Sequence, residues 1–282
     1  MTSKRLLELH INKDLIRMVV IEDVIIESPT VKTFIFKDSL GSISKPGQFF
    51  MVWIPRKEEL PLSVMISYKK NYAAITIRKN GYGSTSLFNK SKGDRIGIRG
   101  PYGNSFSINK SHGNIIFLGG GTGLVPLVRL LYYIKQQQGK FTFILGARTR
   151  SELFFTELIS RWAEESKIEM LIATEDGSFG TQGYPTDILK DFLLVHREID
   201  IIYTCGPEMM MKKVYDLATM YGIHIEASIE RYMKCGIGIC SSCCINDKLV
   251  CVDGTIFNEK EIRKLTEFGV CYRNKAGILT KF

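Results

Sequence analysis

Five of the seven cysteines in this 282-residue chain fall within seventeen consecutive positions, at Cys235, Cys240, Cys243, Cys244 and Cys251. That crowding argues against a disulfide scaffold, which is short, secreted and evenly stapled. The run Cys235-Gly-Ile-Gly-Ile-Cys240-Ser-Ser-Cys243 has the C-x4-C-x2-C spacing of plant-type [2Fe–2S] sites, and Cys251 follows after seven more residues. Thiolates suit soft iron, and four of them complete two tetrahedral irons. Gly236 and Gly238 let a tight loop turn backbone N–H groups toward the sulfurs. The other reading, structural zinc, usually pairs two C-x2–4-C knuckles, and this segment holds one. Neighbours in an extended loop point opposite ways, so only one of Cys243 and Cys244 ligates. The spacing selects Cys243, giving the set Cys235, Cys240, Cys243 and Cys251.

Upstream, the chain divides by changes of rhythm. Short strands are predicted at Met18–Ile26, Thr30–Lys37, Gln48–Ile54, Ala73–Lys79 and Asp94–Arg99, punctuated by turns such as Lys45-Pro46-Gly47 and Lys92-Gly93-Asp94. That spacing suggests a small antiparallel barrel over 15–108. From Asn114 the pattern alternates. Strands are predicted at Asn114–Leu118, Phe141–Leu145, Ile168–Ala173 and Ile199–Thr204, with helices at Leu124–Gln137, Ser151–Ser166, Tyr184–Leu193 and Pro207–Tyr221. Alternation of this kind argues a parallel, doubly wound α/β domain over 109–224. A small cysteine module, 225–282, closes the chain.

Gly119-Gly120-Gly121-Thr122-Gly123 follows an apolar strand and opens an apolar helix. Glycines there permit close backbone approach, and a helix N-terminus favours a pyrophosphate. A glycine turn alone would be weak evidence; its place at the head of a βα series points to Gly120, Gly121, Thr122 and Gly123 as dinucleotide contacts. Glu175 and Asp176 end a candidate strand. Carboxylates beside an adenosine ribose accept its hydroxyls and repel a 2′-phosphate, favouring NAD over NADP, and a solvated acidic turn is the plainer alternative. Cys205, Gly206 and Pro207 end the last strand, where ligands sit in open α/β sheets; Cys205 also reads as a small buried residue. In the barrel, Leu60-Pro61-Leu62-Ser63 follows a strand. Ile77-Arg78-Lys79 runs through Gly83-Ser84 into a short helix, which read alone is a turn and a cap.

The formal net charge is +9, but the basic residues are scattered and no nucleic-acid motif accompanies them. The longest apolar stretch, Ile115 to Ile134, is broken by four glycines, Pro126 and Arg129, so no membrane span is expected. The start of the chain lacks an apolar h-region and a cleavage site, which leads to the expectation of a cytoplasmic protein. His10, His112, His196 and His224 are scattered, and no constellation for substrate proton abstraction is evident.

Together these segments resemble the ferredoxin–NADP reductase superfamily over nearly the whole chain. Leu60–Ser63 is similar to its flavin motif Arg-Pro-x-Ser, and Lys92-Gly93-Asp94 through Gly100-Pro101-Tyr102-Gly103 to its K-G-D…G-P-x-G segment. Gly119–Pro126, Gly146-Ala147-Arg148 with Glu152-Leu153, and Cys205-Gly206-Pro207 are similar to its nicotinamide motifs. Glu230 through Cys240, Cys251-Val252-Asp253-Gly254 and the tail Phe268-Gly269…Arg273 resemble the electron-transfer subunits of NAD-linked, B-type dihydroorotate dehydrogenase. The resemblance implies FAD in the barrel, NAD on the sheet and a [2Fe–2S] cluster facing a catalytic FMN subunit in a heterotetramer. Dihydroorotate oxidation in pyrimidine biosynthesis would then feed electrons through cluster and FAD to NAD+. It also implies FAD contacts from Leu60, Pro61, Leu62, Ser63, Ile77, Arg78, Lys79, Gly83 and Ser84. Ser63 would bond the flavin ring, and the N–H groups of Gly83 and Ser84 the pyrophosphate.

Three features depart from the pattern. Leu60 replaces the usual arginine, leaving Arg78 or Lys79 to compensate; the Cys243–Cys251 gap is short; and Cys244 is an extra thiol. Two other functions fit the same build. One is the reductase subunit of a sulfhydrogenase or of a ferredoxin-linked NAD(P)H enzyme. The other is a non-catalytic redox-sensing or assembly subunit.

Overall fold

The computed structural model describes residues 13–109, 111–165 and 168–282. The basic start of the chain and Ser166, the end of one predicted helix, lie outside them.

Six strands close an antiparallel barrel: β1 (Arg17–Ser28), β2 (Val31–Lys37), β3 (Phe49–Trp53), β4 (Glu59–Met65), β5 (Tyr72–Arg78) and β6 (Arg95–Tyr102). Their order is β1-β2-β5-β4-β3-β6, and β6 returns to pair with β1. Five of the six follow from the alternation of apolar residues. The sixth, β4, carries Leu60–Ser63, which the sequence places after a strand rather than in one. Pro61 hides it, because proline breaks the strand signal. Residues 59–63 pair with β3 along their length, whereas β5 joins only at Val64 and Met65. Pro61, with no N–H to give, therefore lies where the barrel wall is split.

The run Phe49-Phe50-Met51-Val52-Trp53 is apolar throughout because both faces of β3 are covered. Phe50 and Val52 fill the barrel core, and Phe49 and Met51 join a cluster outside it.

The second sheet has the order β10-β9-β8-β7-β11-β12-β15. Its strands are β7 (Asn114–Gly120), β8 (Lys140–Ala147), β9 (Ile168–Thr174), β10 (Thr181–Gln182), β11 (Ile201–Cys205), β12 (His224–Ser228) and β15 (Ile256–Asn258). All pair in parallel except β15, which runs antiparallel to β12. The predicted helices appear at Leu124–Ile134, Thr156–Glu165, Pro185–Val195 and Glu208–Tyr221. The second starts late because Phe154 and Phe155 turn into the core, Phe155 at φ 63°. β12 and β15 escape sequence reading: β15 spans three residues, and β12 lies past the last predicted helix, where the strand–helix alternation stops. Two hairpins complete the chain: β13 (Cys244–Ile245) with β14 (Lys248–Leu249), and β16 (Cys271–Arg273) with β17 (Leu279–Lys281).

Barrel and sheet are joined by Arg129, a helix residue only 3% exposed. It donates from Nη1 to the Met65 carbonyl (2.8 Å) and from Nη2 to the Ser44 carbonyl (2.6 Å) and hydroxyl (2.9 Å), all on the barrel side. Burial pulls its pKa below the usual guanidinium value. The cysteine module is tied in by Asn104, which donates to the carbonyls of Asp253 (3.1 Å) and Ile256 (2.8 Å) and accepts from Ile256 N–H (2.8 Å). Arg129→Met removes the guanidinium donors from the Met65 and Ser44 carbonyls, Ser44 keeping the Tyr133 hydroxyl (3.2 Å), and it is expected to cost about 2–4 kcal/mol. A lowered urea midpoint at unchanged slope would register that loss.

Candidate functional site

The split between β4 and β5 opens a cavity of about 540 Å3. Leu60, Pro61, Leu62 and Ser63 line one side, and Ile77, Arg78, Gly83 and Ser84 another. The short helix Tyr82–Phe88 points its start into this space; its first N–H groups have no intrahelical acceptor. The Ser84 hydroxyl accepts from the N–H groups of Asn80 (3.0 Å) and Gly81 (2.8 Å), which fixes the turn. Lys79 does not line this cavity; its ammonium lies 5.3 Å from the Phe88 ring centre.

The strand order reverses between β7 and β11, and their C-terminal ends form the crevice expected to take a ligand. A cleft of about 1140 Å3 there is lined by Gly120–Gly123 from one strand end and by Gly206 and Pro207 from the other. Gly123 has no alternative: a Cβ would stand 2.4 Å from the carbonyl carbon of Cys205. Cys205 itself is 1% exposed and lines none of these cavities, and burial pushes its thiol pKa up. It takes the role of the small buried residue. A third space, about 450 Å3, reaches Glu175. Asp176 does not line it, because its carboxylate accepts from the hydroxyl (2.6 Å) and N–H (3.0 Å) of Ser178.

Arg78 lines all three spaces. It reaches from the barrel to Glu152 of the sheet domain (2.9 Å), which also holds Arg148. Hydrogen bonding from Arg148, reinforced by Arg78, keeps the Glu152 carboxyl below the usual carboxylate range.

The Cys235–Cys240 loop folds around one sulfur. Cys235 Sγ accepts from the N–H groups of Ile237 (3.5 Å), Ile239 (3.4 Å) and Cys240 (3.5 Å). Electrostatically, Cys240 is linked to Cys235, and Cys243 to Cys251. Partial burial opposes ionisation of Cys240, but hydrogen bonds from Ser242 and Cys235 bring its pKa down to about 6. Four soft sulfur donors suit an iron–sulfur cluster by type, although Cys243 and burial push the Cys251 thiol up and, among the described residues, no three metal-binding side chains stand close enough to share one ion. Cys243 is buried whereas Cys244 is half-buried.

Four participants were not singled out as site residues by the sequence, and two of them, Glu208 and Lys275, lie in no motif. Glu208 and Arg231 form a buried ion pair, and Glu208 Oε1 also accepts from Gly269 N–H (2.8 Å). Glu230 is exposed where it opens onto the cleft and the barrel cavity, and the protein walls beside it, then the charge of Glu208, raise its carboxyl pKa. Lys275, from the turn between β16 and β17, reaches over the same two spaces. Only the fold brings these residues together.

Comparison with known proteins bears on the same segments. Residues 117–216 match the oxidoreductase NAD-binding domain, and residues 230–263 match the iron–sulfur cluster binding domain of dihydroorotate dehydrogenase B. A relative in Methanocaldococcus jannaschii, described as a probable dihydroorotate dehydrogenase B (NAD(+)) electron transfer subunit, is 39% identical, covering 91% of this chain and 95% of its own. A Pyrococcus furiosus protein of the same description is 38% identical, covering 93% and 98%. Among solved structures, an NADH-dependent reduced ferredoxin–NADP oxidoreductase superposes with a TM-score of 0.77 at 28% identity, covering 89% of this chain and 92% of that one. The ferredoxin reductase of carbazole 1,9a-dioxygenase shares the fold, with a TM-score of 0.66 at 20% identity, over 74% of this chain and 66% of that one.

The different burial of two adjacent thiols gives a direct test. Cys243→Ser is expected to lose the iron and its visible absorbance, and Cys244→Ser to keep both. Iron analysis of the two purified variants checks this, and the reverse result would transfer the ligand role to Cys244.

Proposed function

Because the chain belongs to the family of electron transfer subunits of dihydroorotate dehydrogenase B, we propose that it carries electrons from a catalytic FMN subunit to NAD+ through a [2Fe–2S] cluster and FAD. One observation carries this reading: a single strand serves two redox sites. On the outer face of β3, Phe49 lines the barrel cavity and Met51 packs under Gly236 of the cysteine loop. Those two residues are two positions apart, about 7 Å along a strand. Bound there, a flavin supplies the conversion between two-electron exchange with nicotinamide and one-electron exchange with an iron–sulfur cluster.

The chain's own residues bind and orient. Ser63 presents its hydroxyl to the flavin ring, and the N–H groups of Gly83 and Ser84 meet the FAD pyrophosphate. Arg78 stands in for the charge missing at Leu60. Gly120, Gly121, Thr122 and Gly123 take the dinucleotide, with Gly206 and Pro207 opposite. Glu175 accepts the ribose hydroxyls, which favours NAD. Cys235, Cys240, Cys243 and Cys251 hold the cluster.

A partner must reach that cluster. Ile237, Ile239 and Val252 are exposed beside it, whereas Phe268 of the tail is buried in the core. The docking face therefore centres on the cysteine loop, and the complete enzyme is a heterotetramer of two subunit types. No helix among the described residues is long and apolar enough to cross a membrane, and we place the enzyme in the cytoplasm. A second reading, a subunit of a ferredoxin-linked NAD(P)H oxidoreductase, is favoured by the likeness to the NADH-dependent ferredoxin–NADP enzyme.

Reconstitution separates the two. The lone subunit should reduce dyes with NADH and leave dihydroorotate untouched, and its released flavin should be FAD. Adding the matching FMN subunit should create dihydroorotate-dependent NAD+ reduction. Turnover only with a ferredoxin partner would select the second reading.

A further inference from the structure

The cysteine loop is held by the barrel as well as by its own module. Arg99, on β6, donates from Nη2 to the backbone carbonyl of Cys235 (3.1 Å), across 136 positions of sequence. The same guanidinium grips Glu59 with both arms, Nε to Oε1 (2.8 Å) and Nη2 to Oε2 (2.6 Å). Glu59 immediately precedes Leu60, the first residue of the flavin motif. One planar fork thus joins the strand that lines the flavin cavity to the first residue of the cluster loop.

The seat beneath is tight. Gly236 sits at φ 73°, and a Cβ there would approach Met51 Cγ to 2.6 Å, so the loop lies flush against β3. Arg99 also donates to the Tyr102 hydroxyl at 3.4 Å. A lysine has no fork with which to hold a carboxylate bidentately while reaching a carbonyl. The Arg99 side chain is 13% exposed and that of Glu59 21%, so neither charge is fully screened by water.

We propose that the Arg99–Glu59 pair positions the cluster and sets how readily it accepts an electron, a role that rests on the ligand set given above. Reduction adds one negative charge to a cluster, and hydrogen bonds and charges around it set its potential. Arg99, bonded to the carbonyl of a ligand, stabilises that added charge. Glu59, bound to Arg99 but farther from the ligand, offsets part of the effect. The two members therefore act with opposite sign.

The test uses the full chain with cluster and FAD in place, following the midpoint potential of the cluster by low-temperature EPR during a redox titration. Arg99→Gln is expected to lower the potential, Glu59→Gln to raise it and Arg99→Lys, which keeps the charge but loses the fork, to fall between the wild type and Arg99→Gln. A purely structural role would leave the potentials unchanged or move both glutamine variants in the same direction, and either result overturns the proposal. Should Arg99→Gln fail to retain iron, the sign of the Glu59→Gln shift and the position of Arg99→Lys decide it. A wild-type protein without a [2Fe–2S] signal would instead refute the cluster assignment itself.

Discussion

A buried guanidinium bonded to no carboxylate sets the frame in which everything else is placed. Arg129 leaves a helix of the nucleotide sheet and spends its Nη donors on the barrel, at Met65 and Ser44, with the Tyr133 hydroxyl beside it. Neutral carbonyls compensate a buried cation only when their geometry is fixed. The joint therefore resists sliding: a small shift would leave a buried charge without its acceptors. Redox cofactors bound by different units keep their separation only if such a joint holds. The barrel cavity, the crevice between β7 and β11 and the cysteine loop depend on it in turn.

Polar ties between units repeat around the molecule. Arg78 crosses to Glu152, Asn104 to the backbone of the cysteine module, and Arg231 to Glu208. Each is a charged or amide group whose partner comes from a distant part of the sequence. Apolar burial builds each unit, but it is nondirectional and sets relative orientation poorly. Hydrogen-bonded forks supply the missing direction.

The sequence made the local chemistry legible and the long-range chemistry opaque. The C-x4-C-x2-C run, the glycine loop after β7 and the Leu60–Ser63 segment are each contiguous, and the reasons for their residues lie within a few positions. Glycine at 123 is readable because a strand-to-helix turn calls for it, although the carbonyl that enforces it belongs to Cys205. β4 was obscured by Pro61, and β15 by being three residues long. Arg99, Glu59, Glu208 and Lys275 have no motif at all, since each acquires its neighbour only when distant segments meet. The acidic pair Glu175-Asp176 looks uniform in sequence, and folding separates it: one lines a cavity beside the glycine loop, and the other closes its own turn.

The antiparallel strand β15 bears on how the protein is made. The nucleotide sheet ends at β12 until Ile256–Asn258 arrives from beyond the last cluster cysteine. On a ribosome, the parallel strands emerge first and wait with one edge exposed, the kind of edge that recruits other chains. The segment that seals it follows directly on the cysteine loop. The open edge of the sheet therefore waits for chain beyond that loop, and a loop that fails to fold would leave the edge exposed.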